Sequence, residues 1–237
     1  MRSLLWKEWH EQRWKLVFTS VLLAGLTFSG LHARVVPDAS VLMFVCMLSA
    51  LLMPLLVGSV LVAPEREART LDTLLALPTQ SILILAIKTL VGVALCIVPL
   101  AIACALSLGM AGGREMLASA IIAMFVRCLL TMLSFYFWTL ALTIRLPSET
   151  RATLIGLGIL IAWMIISLGL AEGRDAGWAQ ALWLCDPAIF LAGNLRTNWP
   201  DSLPVTTLVE ATAVQAAIAG GLWFWATRQF AAEEARS

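Results

Sequence analysis

A chain of 237 residues that is 60% apolar and only 13% charged falls far below the roughly one-quarter charged content of soluble domains, which excludes a water-soluble globular fold. Several apolar runs reach the ~20 residues that a helix needs to cross a bilayer, and alternating strand patterns of the barrel type are absent, so the class is an all-α membrane protein. A net charge of +1 with no basic block offers nothing that would hold nucleic acid.

The N-terminal stretch "LLWKEWHEQRWKLV" reads as an amphipathic helix. Leu5, Trp6, Trp9, Leu16 and Val17 gather on one side, while Lys7, Glu11 and Lys15 form an i, i+4 ladder on the other; Trp14 lies off the stripe. Tryptophans at headgroup level suit a helix in the interface plane over 1–15, ahead of a first span at 16–31. An aromatic belt at the start of that span is the plainer alternative. A cleaved leader fits poorly, because Glu8, Glu11 and three tryptophans would occupy its charged region and no small-residue cleavage site follows. "HEQRW" opens like a zinc-protease motif, but Trp14 stands where the second histidine is needed.

Five further spans follow at about 39–63, 82–110, 117–144, 152–170 and 205–226, giving six in a single domain over 1–237. Pro54 and Pro99 fall within spans and are expected to kink them. Cys46, Cys96, Cys104, Cys128 and Cys185 show no C-x-x-C spacing and read as small apolar residues. Met43, Cys46 and Met47 have a spacing that soft Cu(I) would accept, but ordinary packing explains them better, and no metal site is expected. Lys88, near the start of the third span, is expected to snorkel to the nearby surface. Arg127 falls inside the fourth, where an arginine costs on the order of 3 kcal/mol. It lines an inner cavity, pins the bundle through backbone carbonyls, or snorkels to the outer surface.

Ten lysines and arginines lie in the N-terminal tail, the 64–81 connection, the 145–151 connection and the C-terminal tail, against four (Arg34, Arg114, Arg174 and Arg196) on the opposite side. The positive-inside rule then puts both termini of this multi-pass protein in the cytoplasm, together with "PEREARTLDTLLALP" at 64–78. In that stretch Thr70 is placed to cap a helix and Asp72 to sit in its first turn. Leu71, Leu74 and Leu75 share one face, and Pro78 closes the unit. A helix of two turns is shorter than the ~12 residues that are marginal alone in water, so headgroups, neighbouring spans or a second protein must cover its leucines.

Glu65, Arg66, Glu67, Thr70, Leu71, Asp72, Leu74, Leu75 and Pro78 stand in register with a pattern of about 14 residues, E-basic-E-x-G-T-L-E-x-L-L-x-x-P. The segment thereby resembles the cytoplasmic connection in permeases of the ABC type 2 transporter family, membrane subunits of ATP-binding-cassette exporters. Arg69 departs from the usual glycine and Asp72 from the usual glutamate. The six-span layout and the long outer segment at 171–204 are similar as well. The resemblance implies a coupling helix that docks on a separate ABC ATPase subunit, with Glu65, Arg66, Glu67, Arg69, Thr70, Leu71, Asp72, Leu74 and Leu75 at the contact. The alternative is a solvated turn whose leucines rest on headgroups.

The resemblance also implies a second permease chain, identical or paralogous, in the cell membrane, and ATP with Mg bound in the ATPase partner. This chain contains no G-x-x-x-x-G-K-[ST] loop of its own, is expected not to be an enzyme, and needs no cofactor. By the same analogy the second and fifth spans line the substrate path, which suggests Met47, Ser49, Thr153 and Trp163, with Arg127 beside them. The outer segment, with "WAQALWL" and "PAIFLAG", is either a lid or an interfacial anchor. A stand-alone secondary transporter or assembly factor is the competing class, but secondary transport normally uses coupling charges at a midplane site, and apart from Arg127 the spans offer few candidates. An intramembrane enzyme would need a nucleophile–base pair or metal cluster, and the spans show neither.

Overall fold

The computed structural model describes residues 2–58, 65, 81–111, 116–144, 146, 148–172, 182, 184–186, 189–192 and 205–234. They form seven helices: α1 (Arg2–Ala33), α2 (Asp38–Met53), α3 (Ser81–Met110), α4 (Ala118–Thr143), α5 (Glu149–Glu172), the short α6 (Ile189–Ala192) and α7 (Val205–Glu234). Among the described residues five helical stretches are long and apolar enough to cross a membrane, within α1, α2 with its extension to Gly58, α3, α4 and α7. The fifth apolar run lies in α5, whose 24 residues span ~36 Å at 1.5 Å per residue. The protein is an all-helical, multi-pass membrane protein.

The N-terminal segment corrects one expectation. No break separates an interfacial helix over 1–15 from the first span, because α1 runs unbroken for 32 residues. The sequence explains why: neither glycine nor proline occurs between Arg2 and Gly25, so no hinge is available. Its tryptophans still face outward, Trp6 and Trp14 being 66% and 71% exposed. The helix ends at Arg34, whose φ of 51° turns the chain before Pro37 and the start of α2.

α4 is the hub, packing against α2, α3, α5, α6 and α7, while α1 lies along α3. The i, i+3/i+4 row Ile121, Met124, Cys128, Met132, Tyr136 and Leu140 is buried in the core, as an apolar stripe on a central helix should be. Tyr136 is fully buried and donates to the Thr89 carbonyl of α3 at 3.3 Å. Gly92 is required there, since a Cβ would fall on the Tyr136 hydroxyl.

The two prolines behave differently. At Pro54, which has no N–H to continue the ladder, α2 passes into a π-helical turn, Pro54–Gly58, a local rearrangement often found at functional sites. The Thr139 hydroxyl of α4 lies 3.2 Å from the Pro54 carbonyl and braces the turn, sharing its one proton with the Phe135 and Tyr136 carbonyls of its own helix at 3.0 Å. Pro99 sits inside α3 without ending it.

Candidate functional site

The N terminus of α1, the end of the α2 extension and the start of α3 meet at one end of the bundle, and there the structure places a buried ion cluster. Lys88, in the second turn of α3, is 2% exposed. Its Nζ lies 2.8 Å from Glu8 Oε1 and 2.8 Å from Glu65 Oε1. Lys7 approaches the same Glu65 oxygen at 3.4 Å and Glu11 at 3.7 Å. Glu8 and Glu65 are themselves only 2% and 7% exposed.

The geometry follows from the helices. α1 lies along α3, so Glu8 on the second turn of one faces Lys88 on the other. An ammonium presents three donors and can serve both carboxylates at once. Charge-assisted bonds of this length are stronger than neutral ones, and burial raises what is lost when one partner goes. The carboxylate oxygens of Glu8, Glu11 and Glu65 lie within 4.8 Å of one another, a spacing a cation would accept, but Lys88 and Lys7 already supply positive charge among them. The cluster is therefore an ion-pair lock: it ties residue 65, the entry to the 64–81 segment, to two helices.

Two expectations change here. Lys88 does not snorkel; it is buried and doubly paired. Glu8, expected in a separate interfacial segment ahead of the first span, belongs to the same continuous helix as that span. Sequence reasoning missed both, since the partners lie 80 and 23 residues from Lys88, beyond any local periodicity.

Of the expected ATPase-docking residues, Glu65 is the described one and its carboxylate turns inward. Arg66, Glu67, Arg69, Thr70, Leu71, Asp72, Leu74 and Leu75 lie outside the described residues. The expected path residues lie on α2 (Met47, Ser49), α4 (Arg127) and α5 (Thr153, Trp163). Ser49 is buried and donates to the Val45 carbonyl at 2.6 Å; Met47 is half-buried on α2. Arg127 is 7% exposed and packs against protein on α4. Thr153 lines a cavity of about 290 Å³ with Lys15, Phe18, Thr19 and Glu149. Trp163, some 15 Å further along α5 at 1.5 Å per residue, donates from Nε1 to Asp186 Oδ1 at 2.7 Å and packs against Trp138.

Asp186, 1% exposed, belongs to the outer segment, and Ile189 and Phe190 of α6 are buried beside Leu130, Leu208 and Ala211. The described part of the segment is thus fastened to the bundle by a hydrogen bond and an apolar plug. Cys46 sits in the core, its carbonyl accepting from the Cys128 thiol at 3.2 Å, in keeping with a packing role.

No curated protein matches the sequence. A family model described as ABC-2 type transporter matches residues 2–198, a stretch that includes the ion cluster and the whole 64–81 segment.

Proposed function

The chain belongs to the ABC-2 type transporter family and is a membrane permease of an ABC transporter, and from that premise we propose that it is the permease subunit of an ATP-driven exporter. Permeases of this family work with an ABC ATPase and in dimeric membrane assemblies. In this reading, Mg-ATP is bound and hydrolysed by partner ATPase subunits on the cytoplasmic side, and a second permease chain completes the path. Both termini and the 64–81 segment lie on that same side of the cell membrane, where the excess of Lys and Arg falls.

The segment acts as the coupling element. The leucine face of Leu71, Leu74 and Leu75 enters a groove of the ATPase, a common mode of helix recognition, and Arg66, Glu67 and Arg69 set its register. The observation that carries the proposal is Lys88 bridging Glu65 to Glu8: a force applied to the segment reaches α1 and α3 through a short, buried, charge-assisted link. Leu74→Asp is expected to leave membrane insertion intact and to abolish co-purification with the ABC ATPase partner. Association that survives Leu74→Asp refutes the docking role, and labelling of residues 65–77 from the outer side refutes the topology.

A further inference from the structure

Where α1 passes the π-helical turn and the start of α5, the cavity of about 290 Å³ that Thr153 lines takes in both signs of charge. Lys15 reaches it from α1 and Glu149 from α5, with Leu55 and Leu95 among the apolar residues behind them. Phe18 and Glu149 are exposed, so the space opens at their edge toward the flank of the bundle.

Lys15 sets the first condition on an occupant. It is half-buried, yet among the described residues it takes part in no ion pair; those at this end of the bundle belong to Lys7 and Lys88. Glu11, one turn before it, is drawn to Lys7 at 3.7 Å. An ammonium taken partly out of water favours a compensating anion, and the cavity is where one can enter. Glu149 sets the second condition. A carboxylate at the rim repels a ligand of net negative charge and attracts one that carries its own cation. A zwitterion meets both, its anionic group toward Lys15 and its ammonium toward Glu149.

Height in the bilayer selects the source of that zwitterion. Counted back from Ala33, where α1 ends, a hydrocarbon layer ~30 Å thick takes up about 20 residues at 1.5 Å each, which puts its edge at about residue 14. Lys15 therefore lies at headgroup level. Glu149 is the first residue of α5 and belongs to the same end of the bundle, since Thr143 at the close of α4 brings its hydroxyl to 3.5 Å from the Gly58 carbonyl. A phospholipid headgroup at that level carries a phosphate, and its acyl chains can run along α1 where Val17, Phe18 and Val21 are exposed.

We propose that this cavity binds the headgroup of a zwitterionic phospholipid, with the phosphate on Lys15 and a primary ammonium on Glu149. The site is separate from the ion cluster, and its test involves no ATPase, so it stands or falls independently of the coupling role.

The test uses the purified full chain, delipidated in detergent, with native mass spectrometry reading single-lipid adducts of phosphatidylethanolamine against phosphatidylglycerol of the same acyl chains. The wild type is expected to retain the first several-fold more than the second. Glu149→Gln is expected to close that gap by admitting phosphatidylglycerol, and Lys15→Gln to lose adducts of both several-fold. Thr153→Phe, one turn from Glu149 on the cavity wall, should also lose both; the thermal midpoint of each variant is measured in parallel, and Thr153→Phe stands in where Lys15→Gln is unstable. Soluble phosphoethanolamine at the same concentration should not displace the lipid. Equal retention of the two lipids by the wild type, a preference unchanged in Glu149→Gln, adducts that survive both Lys15→Gln and Thr153→Phe, or no adduct at all overturns the proposal. So does displacement by phosphoethanolamine, which would assign the cavity to a soluble zwitterion.

Discussion

A lysine held between two carboxylates inside a helical bundle brings three desolvated charges into one place, and its contribution depends on all three being present. Removing Lys88 alone leaves Glu8 and Glu65 facing each other in a buried pocket, a change that typically costs about 3–5 kcal/mol. Removing the carboxylates together with the lysine also removes the desolvation that the pairs were offsetting, so much of that loss should return. Lys88→Met is accordingly expected to lower the thermal midpoint of the purified protein more than the triple change Glu8→Gln, Glu65→Gln, Lys88→Met. Lys88→Arg should fall between them, because a planar fork matches two separate single-oxygen contacts less well than a compact ammonium. A triple variant whose loss equals the sum of its single losses would show that the three residues do not act as one unit.

For the helices as elements, α1 matters most. The apolar runs and their punctuation made the helical membrane class legible from composition and spacing alone, since a bilayer accepts few other solutions for such a chain. The amphipathic pattern over 1–15 was equally visible, yet it suggested a separate interfacial helix because Lys7, Glu8, Glu11 and Lys15 look too polar to continue a span. What the pattern could not show is that Glu8 is neutralised by Lys88 from another helix, which lets the polar turns remain collinear with the apolar ones. The same blindness to distant partners hid Asp186 behind Trp163 and the inward turn of Glu65. Pro54 was legible as a disturbance of α2; its resolution as a π-helical turn braced by Thr139 was not, because the brace comes from a residue 85 positions away. A proline at position 16 separates the two views of α1. Inside a continuous helix Leu16→Pro removes a backbone hydrogen bond and clashes with the preceding turn, a loss of ~3 kcal/mol or more. At the start of an independent span, proline would be well tolerated. A marked drop in the thermal midpoint of Leu16→Pro is expected, and an unchanged midpoint would restore a hinge near residue 15.

In the whole molecule, the question is how a movement imposed on one end reaches the other. Between Gly58 and Ser81 the chain has 22 residues, a covalent path long enough to absorb a displacement without passing it on. The ion cluster shortens that path to single side-chain contacts: what moves Glu65 moves Lys88 and Glu8, and with them α3 and α1. α3 packs on the central α4, and α4 holds α6 and the described part of the outer segment, so a continuous packed route runs from one end to the other. Cutting the cluster should therefore separate binding from transmission. With a reporter dye on Leu182→Cys, at a site 50% exposed in the outer segment, the intact complex is expected to change its fluorescence when ATP is added. Lys88→Met should still co-purify with the ATPase, because the leucine face proposed to dock there is unchanged in sequence, and should still turn over ATP, yet the outer signal should fall several-fold. Lys88→Arg should keep part of it. A full outer response in Lys88→Met would mean that the displacement travels through other packing, and the cluster would then be a stabilising lock only.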